Sequence, residues 1–365
     1  MPMLLQRCDG LIAAGLAGAS NSSHVTCCSQ YLPNLGVGQS LTAARKREEK
    51  PVTFAPIFVV GVPRSGTTLL RVLLDSHSDI LALPETPWLT GAYGRDPSLR
   101  EMLRGLSEGP FGMVQNVAGV EAEDVLAAGR QFLESLFAPV LAKRGKRVLA
   151  FKTPADIRHL DFLTRLAPGG SYIHITRDGR DVALSQVAKK GSFFKDLREY
   201  RRLSFGNAFR RWVDWEQRAR DIFAREGVRV IRLRYEDLVT EPRRELKRIM
   251  DFLSLPFEET MLNYASMNHD LPAWEAGSTD VAQSEAVSAA SVGKWRRIRM
   301  TTDMLCTLMR YDPVLVEFGY APTNLAPNLF ERTFAAAYPF LDSILDAIAS
   351  MPRPTRVSRW MGLAR

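Results

Sequence analysis

Gly61 and Gly66 bracket the turn Val62-Pro63-Arg64-Ser65, and Thr67-Thr68 follow at once. The stretch before the turn, Pro56 to Gly61, is apolar enough for a strand buried on both faces, and Thr67 to Leu74 repeats leucine at helical spacing. Strand, glycine-bounded turn and helix together place a row of backbone N–H groups around an anion. The spacing is that of a phosphate-binding P-loop, but Thr67 stands where such loops carry the lysine that reaches the outer phosphates. This argues against ATP or GTP hydrolysis. Arg64 supplies a fixed cationic fork inside the turn instead.

A second cationic turn, Arg177-Asp178-Gly179-Arg180-Asp181, follows the strand-like run Ser171 to Thr176 and opens a helix through Ala188. Arg180 and Asp181 read as surface residues of that helix, and His174, alternating with Ile173 and Ile175, as a hydrogen-bonded structural histidine. Two more buried strands are expected at Arg147 to Lys152 and Val228 to Leu233. Helices are expected from Asp156 to Leu166, from Leu197 to Arg225 with Trp212 and Trp215 against the sheet, and from Pro242 to Leu253. Between Pro84 and Gly119 the chain is rich in glycine and proline and reads as substrate-facing loops with short helices. Strands interleaved with helices imply an α/β fold with a mostly parallel central sheet, whose functional residues gather at the carboxyl ends of the strands. Three divisions are expected: a weakly structured leader over 1–52, a catalytic domain over 53–320 and a helical extension over 321–365.

The composition is that of a globular protein, with 46% apolar and 24% charged residues in 365. A balance of 48 Lys plus Arg against 40 Asp plus Glu gives +8, compatible with nucleic acid, an acidic membrane surface or a polyanionic small ligand. Four cysteines, Cys8, Cys27, Cys28 and Cys306, form neither a disulfide framework for this length nor a zinc spacing, which points to a reducing, cytoplasmic setting. No run of 18 apolar residues suggests a transmembrane helix, and Asp9 interrupts the weak apolar start that a signal peptide would need.

The run PIFVVGVPRSGTTLLRVLLDSHSDILALPET resembles the 5′-phosphosulfate-binding segment of sulfotransferases that use 3′-phosphoadenosine-5′-phosphosulfate (PAPS). YIHITRDGRDVALS resembles their 3′-phosphate-binding segment, and LRYEDLV and SVGKWRR are similar to their downstream elements. The resemblance spans roughly residues 54–320 and lies closest to the tyrosylprotein, Golgi-type and bacterial branch. It implies a P-loop-like three-layer fold akin to nucleotide kinases and transfer of a sulfuryl group from PAPS to a hydroxyl or amine. In that scheme Arg64, Ser65, Gly66, Thr67 and Thr68 hold the phosphosulfate, and Arg177 and Ser185 hold the 3′-phosphate. Tyr235 lies near the nucleotide, Lys294 closes a downstream loop over it, and Ser278 is a weaker match in the same region.

The resemblance also makes Glu85, in Leu83-Pro84-Glu85-Thr86, the base that takes the acceptor's proton, with Lys152 and Arg64 stabilising the departing phosphate. Pro154 occupies the place where cytosolic relatives carry a histidine, so His159 is a weak alternative base, and His77 reads as structural. No metal is expected. Pro87 stands where the tyrosylprotein branch has an arginine, which puts recognition of acidic peptides in doubt. A small molecule, glycan, lipid or peptide all remain open as acceptor, peripheral membrane contact stays open, and no nucleic-acid partner is expected. A small-metabolite kinase and a basic nucleic-acid or membrane-surface binder are the competing readings.

Overall fold

The computed structural model describes residues 55–94, 97–110, 112–188, 204–225, 227–267, 269, 272, 287–325 and 329–350. The expected leader and Ser278 therefore lie outside the described residues. Within them the strands are β1 (Ile57–Val60), β2 (Ile80–Ala82), β3 (Val148–Lys152), β4 (Ser171–Thr176) and β5 (Arg229–Arg234). The α-helices are α1 (Thr67–Asp75), α2 (Leu99–Glu108), α3 (Met113–Asn116), α4 (Ala122–Arg144), α5 (Leu160–Leu166), α6 (Gly179–Ala188), α7 (Phe205–Phe223), α8 (Tyr235–Thr240), α9 (Pro242–Leu253), α10 (Thr302–Glu317) and α11 (Leu329–Ser350).

The sheet order is β2-β3-β1-β4-β5, and every neighbouring pair is parallel. Parallel neighbours require crossover connections, which explains why both faces carry helices and why the inner strands β1, β3 and β4 are buried along most of their length, whereas β5, expected as a buried strand, lies at the sheet edge with Arg229 and Arg232 exposed. Along β1, Ile57 and Val59 face one layer with Leu70, Leu73 and Leu246, while Phe58 and Val60 face the other with Leu133, Leu163 and Trp212. Phe58 stacks between Phe151 and Tyr172, with ring centroids 5.5 and 5.1 Å away, so the three central strands share one aromatic seam.

Several elements depart from the sequence reading, and α8 and α10 have no counterpart among the expected helices. β2 is a fifth strand, only three residues long, too short to show an alternation; it pairs with β3 from Ile80↔Val148 to Ala82↔Ala150. The 23-residue α4 has no counterpart among the expected elements. Its apolar residues run around more than one face, with Leu133, Phe137 and Leu141 in the core and Phe132 and Leu136 exposed, so no single stripe marks it. By length and composition alone α4 could cross a bilayer, contrary to the expectation drawn from apolar runs, yet its inner face belongs to the hydrophobic core. The 3₁₀ segment Pro154–His159 takes in the first turn, from Asp156, of the helix expected to reach Leu166, and α5 begins only at Leu160. The described part of the long amphipathic segment is helical over Phe205–Phe223, and α9 begins at Pro242, where proline's missing N–H costs nothing.

The sheet closes tightly just where the phosphate turn begins. A Cβ on Gly61 would lie 2.3 Å from the carbonyl oxygen of Ile175 on β4. Gly61→Ala is therefore expected to destabilise the fold by ~1–3 kcal/mol through overpacking of backbone that cannot yield. Gly105, in the middle of α2 with open space around it, offers the contrast, and Gly105→Ala should stabilise by ~0.5–1 kcal/mol. Urea unfolding midpoints of the two variants should shift in opposite directions.

Candidate active site

The carboxyl ends of β3, β1 and β4 lie side by side because these strands are adjacent in the sheet, and the loops that leave them build one continuous site. In the turn after β1, Arg64 and Gly66 both adopt left-handed backbone, with φ of 83° and 93°. For Gly66 this is required twice over, because a Cβ there would come within 2.3 Å of the Tyr235 ring. Gly66 caps α1 without a side chain and the first turn holds no acidic residue, so the helix offers its N-terminal N–H groups at Thr67 and Thr68 unopposed.

Arg177, at the end of β4, ties the second cationic turn to the first. It donates to the carbonyl of Arg64 at 3.0 Å and to that of Ser291, and its guanidinium lies 4.5 Å from the centre of the Tyr235 ring. Arg64 in turn donates from Nε to Ser185 Oγ at 3.0 Å, and Gln186 on α6 holds the Pro63 carbonyl at 3.0 Å. Arg64, Gly66, Arg177, Ser185 and Tyr235 are thus gathered in one cluster. Two donors in it, Ser65 Oγ and Arg177 Nε, are buried and meet no hydrogen-bond partner among the described residues. Buried polar groups are normally satisfied, so one orphan donor in each cationic turn fits a ligand carrying two separated anionic groups.

Arg180 and Asp181 correct the sequence reading, since both are buried rather than on a surface. The reason is the segment around Gly293, which folds over the start of α6. Asp181 accepts hydrogen bonds from Gly293 N at 2.6 Å and Trp295 N at 2.9 Å, and the Arg180 guanidinium sits 3.9 Å from the Trp295 ring centre. Arg180 also makes a forked pair with Asp178 and reaches Thr323 at 3.0 Å. Lys294 is exposed at the tip of this Asp181-held turn, where Gly293 supplies a φ of 67°.

On the other side of β1, β2 and β3 carry the second half of the site. The β2–β3 ladder continues past the strand end, with Leu83 N on the Ala150 carbonyl at 2.9 Å, and Thr86 N donates to Thr153 Oγ1 at 2.9 Å. Between those two fixed points Glu85 faces Lys152, whose fully buried Nζ is 3.4 Å from Glu85 Oε1. Tyr93 donates its hydroxyl to Glu85 Oε2 at 2.6 Å. Beneath them Asp156 accepts from Thr90 Oγ1 at 2.5 Å; burial pushes its carboxyl up to about 7, with the charge of Glu85 adding to the rise against the pull of the Thr90 bond. Neither Asp156 nor Tyr93 stood out in the sequence, and no local pattern marks them.

Three of the described histidines are named in the sequence reading. His159 is pulled down to about 4, by burial first and then by the charges of Arg100, Arg158 and Arg218. His77 lies 2.9 Å from the Pro256 carbonyl and accepts from Asp79 N at 3.0 Å, and buried His174 lies 2.9 Å from the Glu216 carboxylate.

Asp156 yields a pH test with a definite sign. Its folded-state carboxyl titrates above the value of about 3.8 that it would have in an unfolded chain, so the stability it supports is complete below that value and lost as pH rises toward 7. Asp156→Asn removes the ionisation while keeping an acceptor for Thr90. Its melting temperature relative to the parent should rise between pH 4 and pH 8; a constant difference would contradict the assignment.

The arrangement can grip two anionic groups on one side of β1 and present a carboxylate beside a buried ammonium on the other. Comparison with known proteins agrees with that chemistry. The model of the sulfotransferase family matches residues 56–259, more than half of the chain. Protein-tyrosine sulfotransferase 2 of Gallus gallus is 28% identical over 286 residues, covering 74% of this chain and 71% of its own. Protein-tyrosine sulfotransferase A of Caenorhabditis elegans is 28% identical over 295 residues, covering 79% and 73%. Among solved structures, the sulfotransferase domain from the curacin biosynthetic pathway superposes with a TM-score of 0.51 at 22% identity, over 73% of this chain and 98% of that one, a likeness of fold. With its phosphate turn, its second cationic turn and the sheet that joins them all inside the matched span, the chain belongs to the sulfotransferase family.

Proposed function

We propose that residues 53–320 transfer a sulfuryl group from PAPS to a hydroxyl of an acceptor by in-line displacement, with Glu85 as the base. The observation that carries this reading is the pair of cationic turns, each with a buried orphan donor, joined by the Arg177 contact to the Arg64 carbonyl. PAPS, when bound, supplies an activated sulfuryl group attached to a phosphate. Ser65, the N-terminal N–H groups of Thr67 and Thr68, and the Arg64 side chain suit its 5′ end. Arg177 and Ser185, with Lys294 on the Asp181-held turn, suit the 3′-phosphate. Tyr235 lies between the two, packed on Gly66 and under Arg177.

The acceptor enters from the β2–β3 side. There Glu85 is positioned to take the hydroxyl proton, and Lys152 to stabilise negative charge accumulating on the oxygen that leaves with the phosphate. Fixed cations suffice for this purpose, because the departing charge falls on a few oxygens whose position the sheet determines. The protein-tyrosine sulfotransferases that the chain resembles make a tyrosine-bearing peptide one acceptor to test.

Single-turnover transfer at saturating PAPS, with an acceptor identified by sulfate incorporation, tests the roles directly. Glu85→Gln should slow transfer by roughly 10²-fold or more while leaving PAPS affinity near that of the parent. Lys152→Ala should slow transfer and also weaken PAPS binding, since its charge acts on the bound anion before reaction. Transfer by Glu85→Gln at the parent rate would remove Glu85 as the base.

A further inference from the structure

Tyr93 occupies an unusual place for a loop tyrosine. The residue is 43% exposed, yet its hydroxyl is hydrogen-bonded at 2.6 Å to Glu85 Oε2, while Lys152 approaches the other oxygen of the same carboxylate. An acceptor hydroxyl undergoing sulfuryl transfer must satisfy the same requirement: an oxygen nucleophile held against the base, on the side where the Lys152 ammonium can meet the leaving phosphate. The chain thus presents a phenol of its own at the position of an acceptor.

The backbone around Tyr93 suits a residue that docks and leaves. Gly91 and Gly94 flank it with φ of 74° and 62°, and Gly94 has open space around it. Gly91 is held close to the start of α2, where an added Cβ would lie 2.9 Å from Ser98 Oγ. The turn itself is closed by a bond from Gly94 N to the Gly91 carbonyl at 2.9 Å, so movement falls to the Tyr93 side chain, with no side chain crowding position 94. The loop also follows Thr86 and Thr90, both tied to the β3 side through Thr153 and Asp156.

We propose that Tyr93 is an acceptor in its own right: with PAPS bound and no other acceptor displacing the phenol, the chain sulfates its own Tyr93. The proposal rests on the reading of Glu85 as the base. Tyr93 Oη forms the new bond to sulfur as the bond between sulfur and the bridging phosphate oxygen breaks. That bond's electron pair departs with the nucleotide as 3′-phosphoadenosine-5′-phosphate, and the phenolic proton passes to Glu85 Oε2. No oxidant or reductant is involved. The product carries a permanent negative charge beside the Glu85 carboxylate, and once Glu85 has released its proton the two repel at contact distance. The sulfated ring then swings to solvent on its glycine-flanked turn and leaves the base to an external acceptor, so the event happens once per chain.

The test is incubation of the full chain with PAPS and no added acceptor, followed by intact-mass and peptide mass spectrometry under non-acidic conditions, with PAPS binding measured by calorimetry on the same preparation. The expected result is a gain of one SO₃ group on the peptide containing Tyr93, absent in Tyr93→Phe and slowed by roughly 10²-fold or more in Glu85→Gln. Its first-order rate constant should not change on dilution of the protein, whereas a rate constant proportional to protein concentration would overturn transfer within one chain. PAPS binding without modification of Tyr93, or with sulfate on another residue, would overturn this inference while leaving the proposed function standing. Failure of PAPS to bind would overturn both.

Discussion

The hydrogen bond from Arg177 to the carbonyl of Arg64 is the contact on which the site depends. Arg64 and Gly66 hold left-handed backbone, and for a residue with a Cβ such a conformation costs of order 1–3 kcal/mol and persists only where its surroundings over-determine it. Here they do. Arg177 fixes the Arg64 carbonyl, Ser185 fixes its Nε, Gln186 fixes the preceding carbonyl, and the Tyr235 ring fills the space that a side chain at position 66 would need. Three of the four supports come from the second cationic turn and α6, and the fourth, Tyr235, from the start of α8. The two cationic turns are therefore tied to each other, and their separation is set by the pairing of β1 with β4.

The other half of the site depends on a different constraint, the register of β2 against β3. Leu83 continues that ladder and Thr86 is bonded to Thr153, so Glu85 is held at both ends of its short loop, opposite a lysine that terminates β3. Lys152 itself pairs in register with Val59, just before the phosphate turn. Through the central strand, the ammonium next to the carboxylate is thus placed relative to the anion grip by main-chain hydrogen bonds. Such placement suits a reaction whose rate depends on the alignment of acceptor, sulfur and leaving oxygen.

How much of this could be read from the sequence follows from the range of each interaction. The phosphate turn, the Arg177 turn and four strands are local patterns, and the structure places them within a residue or two of where spacing puts them. β2 could not be seen, because three residues carry no period and its existence depends on an edge that β3 offers from far along the chain. α4 escaped because its outer face is apolar as well as its inner one. Arg180 and Asp181 look like surface residues on a helix; they are buried only because a segment more than a hundred residues later covers them. Glu85 was legible through family resemblance alone, and the residues that surround it, Tyr93 and Asp156, by neither route.

The proposed function requires two linked anion sites that grip a nucleotide with phosphates at both its 5′ and 3′ positions. Calorimetric titration of the protein with 3′-phosphoadenosine-5′-phosphate and with 5′-AMP, at low salt, tests it most directly. The bisphosphate should bind in the micromolar range and more tightly than the monophosphate, and Arg177→Ala should erase most of the difference. Equal affinity for the two nucleotides in the unaltered protein would contradict it.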